Sequence, residues 1–332
     1  RAMGGGGGWL GCSGSEKLAG KIHMHECDQR THTHNRDLTP YVSLHVPHWE
    51  NTEEDVAGIK REFTLALLKR SSLWWFDMWG GFYQEPVLFE NFRRMKEIYD
   101  SRINLPSRNV EEVAMIVDPE ALAYFDQRSP RQRDFQPDIR KKLNRLGAPF
   151  ETWCLRDIPS IPNLDKIKFF LFTTPWEITP EKAELLNRYV LNGNRTVLWF
   201  YAPGISDGTS FDESRIRRWT GADSHVSGLS VQRMSGWTSA FLRNPAELTP
   251  AMLKSLAKSA GVHLYSDAEI PVYADDRFLA LHSKEGGEMT IRLPRRVTKI
   301  TELFSGKLAA ENVSEFQWNF RAPDTVLFEM ED

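Results

Sequence analysis

The sequence predicts an α/β protein, in which a doubly wound parallel sheet is followed by a small antiparallel β domain at the C-terminus. Strand and helix patterns alternate between residues 113 and 201. Three of the strands end abruptly, at Asp118-Pro119, Thr174-Pro175 and Ala202-Pro203, as strands do at the carboxyl edge of such a sheet. From Ile270 onward, short strands with tight turns replace the helices.

The N-terminal third predicts a flexible tail and four elements. Residues 1–20 lack periodicity and contain consecutive glycines, so we expect a tail outside the fold. Alternation at 21–27 predicts a strand ending in a His-rich loop, and apolar residues at helical spacing predict a helix at 53–69. The aromatic run 72–78 predicts a strand buried on both faces. A second helix is predicted at 88–99.

The remainder of the chain predicts the main sheet and the closing β domain. The predicted strands of the main sheet are 113–117, 150–155, 167–173 and 196–201, and its helices are 136–146, 180–191 and 248–260. The predicted strands of the β domain are 278–282, 289–293, 300–304, 315–320 and 325–329. We therefore expect a tail at 1–20 and three domains, at 21–106, 107–265 and 266–332.

Composition excludes several classes of function. Lys plus Arg number 42 against 45 Asp plus Glu, a net charge of −3, so neither nucleic acid nor an anionic membrane is an expected partner. No run approaches the roughly 18 apolar residues of a membrane span, and no leader pattern is visible. The three cysteines are far apart, as expected of incidental thiols in a cytoplasmic protein. The 11 tryptophans point toward carbohydrate.

Several motifs resemble family 42 β-galactosidases and related glycoside hydrolases. The runs His25-Glu26-Cys27-Asp28-Gln29-Arg30-Thr31-His32 and Leu73-Trp74-Trp75-Phe76-Asp77-Met78-Trp79-Gly80-Gly81 look like the last two units of that family's (β/α) barrel. Residues 107–265 resemble its flavodoxin-like or amidotransferase-like trimerisation domain, and the C-terminal part resembles its β domain. A whole barrel takes roughly 250 residues, so the resemblance implies a truncated barrel remnant before the flavodoxin-like sheet.

The resemblance also implies a hydrolase acting on small glycosides. The family's nucleophile is a glutamate at the end of the seventh strand, and this role is carried onto Glu26, whereas the family's acid/base glutamate has no counterpart. Retaining hydrolysis requires two carboxyl groups about 5 to 5.5 Å apart, and Asp77 is the candidate partner. The predicted catalytic set also includes His25 and Asp28. The residues predicted to bind substrate are Arg30, His32, Trp75 and Trp79.

Other interpretations of the same residues remain open. Glu26 is otherwise a carboxylate paired with Arg30 or Lys21, and Asp77 a structural acceptor. The pairs His23/His25 and His32/His34 can coordinate zinc, although we predict neither a metal nor a cofactor. A serine ester hydrolase would use Asp28, Asp37 or Asp77, a histidine, and one of four serines: Ser13, Ser15, Ser71 and Ser72. A non-catalytic sugar-binding or assembly module is the third alternative.

The aromatic strand predicts self-association. Large exposed apolar surfaces normally become interfaces. We therefore expect a homo-oligomer, a dimer or trimer, in which Trp74, Trp75, Trp79 and Phe82 are buried between subunits or against the α/β domain. Cys154 lies inside a predicted strand and is expected to be a core residue rather than a nucleophile.

Overall fold

A computed structural model describes residues 2–8, 11–34, 48–77, 80–126, 128–129 and 132–332. The helices are α1 (Ser13–Leu18), α2 (Thr52–Leu68), α3 (Pro86–Arg102), α4 (Gln132–Phe135), α5 (Pro137–Leu143), α6 (Pro180–Tyr189), α7 (Ser214–Thr220) and α8 (Pro250–Ser259). The first eight strands are β1 (Met24–Cys27), β2 (Ser72–Trp75), β3 (Val113–Val117), β4 (Glu151–Cys154), β5 (Phe169–Phe172), β6 (Thr196–Phe200), β7 (Leu229–Arg233) and β8 (Thr238–Leu242). The last five are β9 (Val272–Ala274), β10 (Phe278–Ser283), β11 (Gly287–Glu302), β12 (Lys307–Phe320) and β13 (Asp324–Glu331).

The chain divides into two compact units. Unit 1 contains residues 1–9, 22–109 and 264–332, and unit 2 contains residues 10–21 and 110–263. The segment 22–109 and the C-terminal β strands, which we expected to be separate domains, therefore belong to one unit. None of the described helices is long and apolar enough to cross a lipid bilayer.

Unit 2 is built on a six-stranded sheet with the order β4-β3-β5-β6-β8-β7. Five strands are parallel, and β7 pairs antiparallel with β8 at the edge. All residues of β3, β5 and β6 are buried, as their mainly apolar sequences predict for the central strands of a parallel sheet. The predicted α/β class with a parallel sheet is confirmed, whereas α7, β7 and β8 were not predicted.

Unit 1 begins with β1, α2 and β2, and the two strands form a parallel pair. Helix α2 starts after Asn51, whose side chain accepts a hydrogen bond from the Glu54 N–H. Its apolar face packs with α3 and with Phe278 and Leu327 of the C-terminal sheet in one core. The prediction that the aromatic strand is buried on both faces is wrong, because Trp74 remains 41% exposed on this two-stranded sheet.

The C-terminal part of unit 1 is a five-stranded antiparallel sheet with the order β12-β11-β13-β10-β9. The antiparallel class is as predicted, but the strands predicted at 289–293 and 300–304 are one strand, β11. Its pairing with β12 shifts register between Arg292 and Val297. Pro294 lies in this interval, where a bulge removes the need for a ladder N–H.

The N-terminal residues do not form the expected tail outside the fold. In unit 2, Ser13–Leu18 is a helix whose Gly14 lies against the Trp153 ring, where an added Cβ would come within 2.6 Å. In unit 1, the Gly4 N–H donates to His282 Nε2 at 3.0 Å and the Gly7 N–H donates to the Tyr273 hydroxyl at 2.8 Å. Glycine runs suggest flexibility, but here the absent side chains allow close backbone contact.

Candidate functional site

The parallel pair β1–β2 has one face turned away from the unit 1 core. Alternation along β1 exposes Met24 and Glu26 while burying His25 and Cys27. Glu26 is in register with Trp74, and the Trp74 and Phe76 rings meet edge to face with their centroids 5.4 Å apart. We call Met24, Glu26 and Trp74 the open face. It presents a carboxylate beside an indole ring that is 41% exposed.

The opposite face of β1 covers a buried charged network on α2. His25 Nε2 lies 3.0 Å from Glu62 Oε2, which also accepts the Gly8 N–H at 2.9 Å. The other carboxylate oxygen of Glu62 accepts two hydrogen bonds from the fully buried Arg61 guanidinium, at 3.0 and 3.2 Å. His25, predicted to be catalytic, is therefore on the other side of the strand from Glu26.

Three side chains of types that bind metal ions, those of His25, Cys27 and Glu62, lie together on this buried side of β1. The ligand atoms of His25, Cys27 and Glu62 lie within 4.8 Å of one another, and all three residues are buried. Tyr83 donates its hydroxyl to the Cys27 carbonyl at 3.1 Å, and burial raises the pKa of that hydroxyl. These three residues could hold a cation, but the Glu62 carboxylate already accepts hydrogen bonds on both oxygens.

His32 is held between two carboxylates just beyond the end of β1. Its Nδ1 lies 2.5 Å from Asp55 Oδ2, and its backbone N–H donates to Asp55 Oδ1 at 3.0 Å. Its Nε2 lies 3.4 Å from Glu85 Oε1. The hydrogen bond to the Asp55 carboxylate raises the pKa of His32, because it favours the imidazolium form. Both ring nitrogens of His32 therefore face carboxylates, Nδ1 that of Asp55 and Nε2 that of Glu85.

The remaining predicted site residues lie near the carboxyl ends of the two strands. Arg30 Nη1 donates to Asp28 Oδ1 at 2.9 Å. Asp77 Oδ1 accepts the Phe82 N–H at 3.2 Å, which is the structural role considered as its alternative. Trp75 packs against Tyr83 and Phe92, with centroids 5.7 and 4.9 Å away. Trp79 and Asp37 lie outside the described residues.

These contacts correct the expected burial of Phe82 and Trp75, and the strand register shows which tryptophan lies beside Glu26. Phe82 is fully buried in the core of unit 1, and Trp75 packs against that core, so neither requires a subunit interface for its burial. Sequence alternation grouped Trp75 with the substrate-binding residues, but the register with β1 places Trp74 beside Glu26. The pairing register of two distant strands was the missing information.

Three of the four serines proposed as nucleophiles, Ser13, Ser15 and Ser71, have structural hydrogen bonds. Ser13 donates its hydroxyl to the buried Glu151 carboxylate, and the Ser15 hydroxyl accepts the Cys154 N–H at 2.7 Å, both within unit 2. In unit 1, the Ser71 hydroxyl lies 3.5 Å from the Ala66 carbonyl. These contacts explain why the serines are present without assigning them a catalytic role.

Sequence analysis missed the polar side chains that support the site. Asp55, Arg61 and Glu62 all lie in the helix predicted at 53–69, but none of them is among the predicted site residues. A signal was available for Asp55, which lies in the first turn of a helix that directly follows the His-rich loop. No signal in the sequence distinguishes a buried Arg-Glu pair from an exposed one.

No protein-family model and no curated protein matches the sequence. The fold is similar to that of a catalytic mutant of Gan42B, a GH42 β-galactosidase from G. stearothermophilus, with a TM-score of 0.61 and 9% identity over 87% of this chain and 52% of that one. A β-galactosidase from Rahnella sp. R3 gives 0.58 and 11%, over 86% and 52%. The α-L-fucosidase isoenzyme 2 from Paenibacillus thiaminolyticus gives 0.53 and 11%, over 96% and 62%. The chain thus spans about half the length of these β-galactosidases, and its similarity to their fold confirms the predicted resemblance to family 42.

Proposed function

We propose that this chain is a glycoside hydrolase acting on small glycosides, with Glu26 as the nucleophile. One observation carries the proposal: Glu26 is exposed beside Trp74 on the open face, in a fold similar to about half of a family 42 β-galactosidase. Substrate sites lie at the carboxyl ends of parallel strands in (β/α) barrels. Glu26 is the third of the four residues of β1, close to that end.

The open face would provide two features that a retaining reaction needs, a nucleophilic carboxylate and a surface for the sugar ring. In that mechanism a carboxylate attacks the anomeric carbon while a carboxylic acid protonates the departing oxygen, and water then hydrolyses the glycosyl-enzyme. Glu26 would make the attack. The Trp74 indole offers an apolar surface for the C–H face of the sugar. Asp28 is less suited to donate a proton, since Arg30 pairs with its carboxylate at 2.9 Å.

The proton donor is the second part of the proposal. Asp77 remains the candidate, although one of its oxygens accepts the Phe82 N–H. Its role is separable from that of Glu26 because a dinitrophenolate leaving group needs little protonation. An Asp77→Asn variant should therefore lose hydrolysis of methyl β-galactoside and keep most of its hydrolysis of dinitrophenyl β-galactoside.

The test is hydrolysis of dinitrophenyl β-galactoside by the wild type and two matched variants. Glu26→Gln should lower kcat/KM about a thousandfold or more, or roughly 4 kcal/mol of transition-state stabilisation. Glu90→Gln removes an exposed carboxylate from α3 and should leave the rate unchanged. Azide should rescue Glu26→Ala by forming a glycosyl azide. Equal rates for wild type and Glu26→Gln, or no wild-type turnover, would refute the proposal.

Self-association remains a proposal on the same strand pair. Ile22 is 91% exposed and Met24 60% exposed, at the amino end of β1. A second copy packed against these two residues would bury apolar area and leave Glu26, nearer the carboxyl end, open to substrate. Light scattering at micromolar concentration should give a dimer or trimer, and a monodisperse monomer would contradict this.

A further inference from the structure

Unit 2 contains a crevice at the point where its sheet changes winding direction. The chain runs from β3 outward to β4 and returns to β5 on the other side of β3, so β3 and β5 flank the switch point. Ligands of doubly wound sheets bind outside the carboxyl ends of the strands at this point. Here the crevice has a volume of about 270 Å³ and is lined by residues that follow β3 and β4 and by the first turns of α6.

Lys182 on α6 joins the loops on the two sides of the switch point. Its ammonium group lies 2.8 Å from Asp118, which follows β3, and 2.8 Å from Glu177, which follows β5. Glu120 is a third carboxylate at 3.1 Å. Although burial opposes it, hydrogen bonding to these carboxylates raises the pKa of Lys182, which therefore stays charged. The floor of the crevice is consequently fixed by an internal ion-pair network.

The charges around the crevice disfavour an ionic ligand of either sign. An anion would face the carboxylates of Asp118, Glu120 and Glu181, and a cation would have to compete with Lys182. The Arg156 side chain is 81% exposed, so a ligand in the crevice can reach its guanidinium group. Hydroxyl groups suit such a wall because each one donates to a carboxylate and accepts from a guanidinium.

The apolar part of the wall completes the chemical description. Pro119, Leu155 and Leu185 line the crevice together with the charged groups. Next to it, Glu177 accepts a hydrogen bond from the Tyr124 hydroxyl at 2.5 Å, and the Tyr124 ring meets the 69% exposed Phe211 edge to face. A small cyclic polyol has both hydroxyl edges and C–H faces, and it matches a few placed polar groups on an apolar wall.

We propose that the switch-point crevice of unit 2 binds a neutral, polyhydroxylated small molecule the size of one sugar ring. The shape and charge argument stands on unit 2 alone, while the choice of a galactoside as one probe rests on the proposed function. The site is separate from Glu26 in sequence and belongs to the other compact unit. It would add a second place at which this chain recognises its substrate or product.

The test is ligand-detected NMR titration of the full chain with methyl β-galactoside and with myo-inositol, a polyol that no glycosidase cleaves. We expect saturable binding of at least one probe with a Kd in the millimolar range. Arg156→Ala should weaken that binding about tenfold, and Leu185→Trp should abolish it by filling the crevice. Glu184→Ala, an exposed change on the same helix outside the crevice lining, should leave it unchanged.

The outcomes separate this inference from the catalytic one. If Leu185→Trp leaves binding unchanged and Glu26→Gln abolishes it, the proposal that the crevice binds a ligand is overturned. The proposal of a glycosidase is then unaffected. Inositol binding lost in Leu185→Trp would support the crevice even without hydrolysis. The inference about the crevice would be overturned if neither probe binds saturably. It would also be overturned if only a charged ligand, such as butylammonium or butyrate, binds.

Discussion

Replacing Glu62 with glutamine should destabilise unit 1 far more than an ordinary surface change. Glu62 is fully buried and faces the guanidinium of Arg61, which is also fully buried. Glutamine has almost the same shape, so the variant removes the charge and not the volume. It also has one acceptor oxygen where Glu62 uses two, so either the Gly8 N–H or the Arg61 donors lose their acceptor.

The expected cost follows from the burial of the pair. Removing one member of a buried ion pair costs about 3–5 kcal/mol, because the remaining charge is left uncompensated. The control Glu90→Gln changes an exposed carboxylate on α3 and should cost less than about 0.5 kcal/mol. Because both variants replace a glutamate with glutamine, the difference between their free energies of unfolding measures the effect of burial.

Hydrogen exchange measured by mass spectrometry reports this cost one segment at a time. Peptides from α2 should exchange about a hundredfold to several thousandfold faster in Glu62→Gln, since each 1.4 kcal/mol is a factor of ten. Peptides from β5 and β6 of unit 2 should be unchanged. Unchanged protection in α2 would show that the Arg61–Glu62 pair is not buried as described, and the reasoning would fail.

Two further perturbations test neighbouring parts of unit 1. Asp55→Asn should destabilise the protein more at about pH 6 than at about pH 9. The folded state raises the pKa of His32, so its stabilisation by Asp55 is complete below the unfolded pKa of about 6.5 and is lost as the pH rises through the folded pKa. Urea denaturation at both pH values measures the loss of stability, and an equal loss at both would contradict the prediction. Gly58→Ala should lower stability by about 1–3 kcal/mol despite the better helix propensity of alanine, because an added Cβ would come within 2.1 Å of the buried Trp49 ring. Thermal unfolding measures this loss of stability, and a higher melting temperature would contradict the prediction.

The parts of the fold that could be predicted are those whose burial is uniform. Strands β3 and β5 are apolar throughout and β6 is apolar after Thr196; all three are fully buried, and each was predicted within a few residues. Strand β8 was missed because Thr238 and Ser239 begin it and a run rich in Gly and Ser precedes it. Its place in the sheet is set by pairing with β6, which is not visible along the sequence.

The candidate site was predictable to a smaller extent. Glu26 and His25 were both predicted to be catalytic, but the alternation along β1 places them on opposite faces of the strand. Which tryptophan lies beside Glu26 depends on the register between β1 and β2, two strands with 44 residues between Cys27 and Ser72. The burial of Arg61 and Glu62 depends on tertiary contacts with residues 2–8 and β1, and charged residues on a helix are ordinarily solvated.

Covalent trapping tests the central claim, that Glu26 is the nucleophile of a retaining glycosidase, most directly. A deoxyfluoro-β-galactosyl fluoride forms a long-lived glycosyl-enzyme because the ring fluorine slows both steps, whereas the reactive fluoride leaving group speeds only the first step. We predict that the intact protein gains the mass of one fluorogalactosyl group and that peptide mapping places it on Glu26. An unlabelled protein, or a label on Asp28, Asp77 or a serine, would contradict the claim.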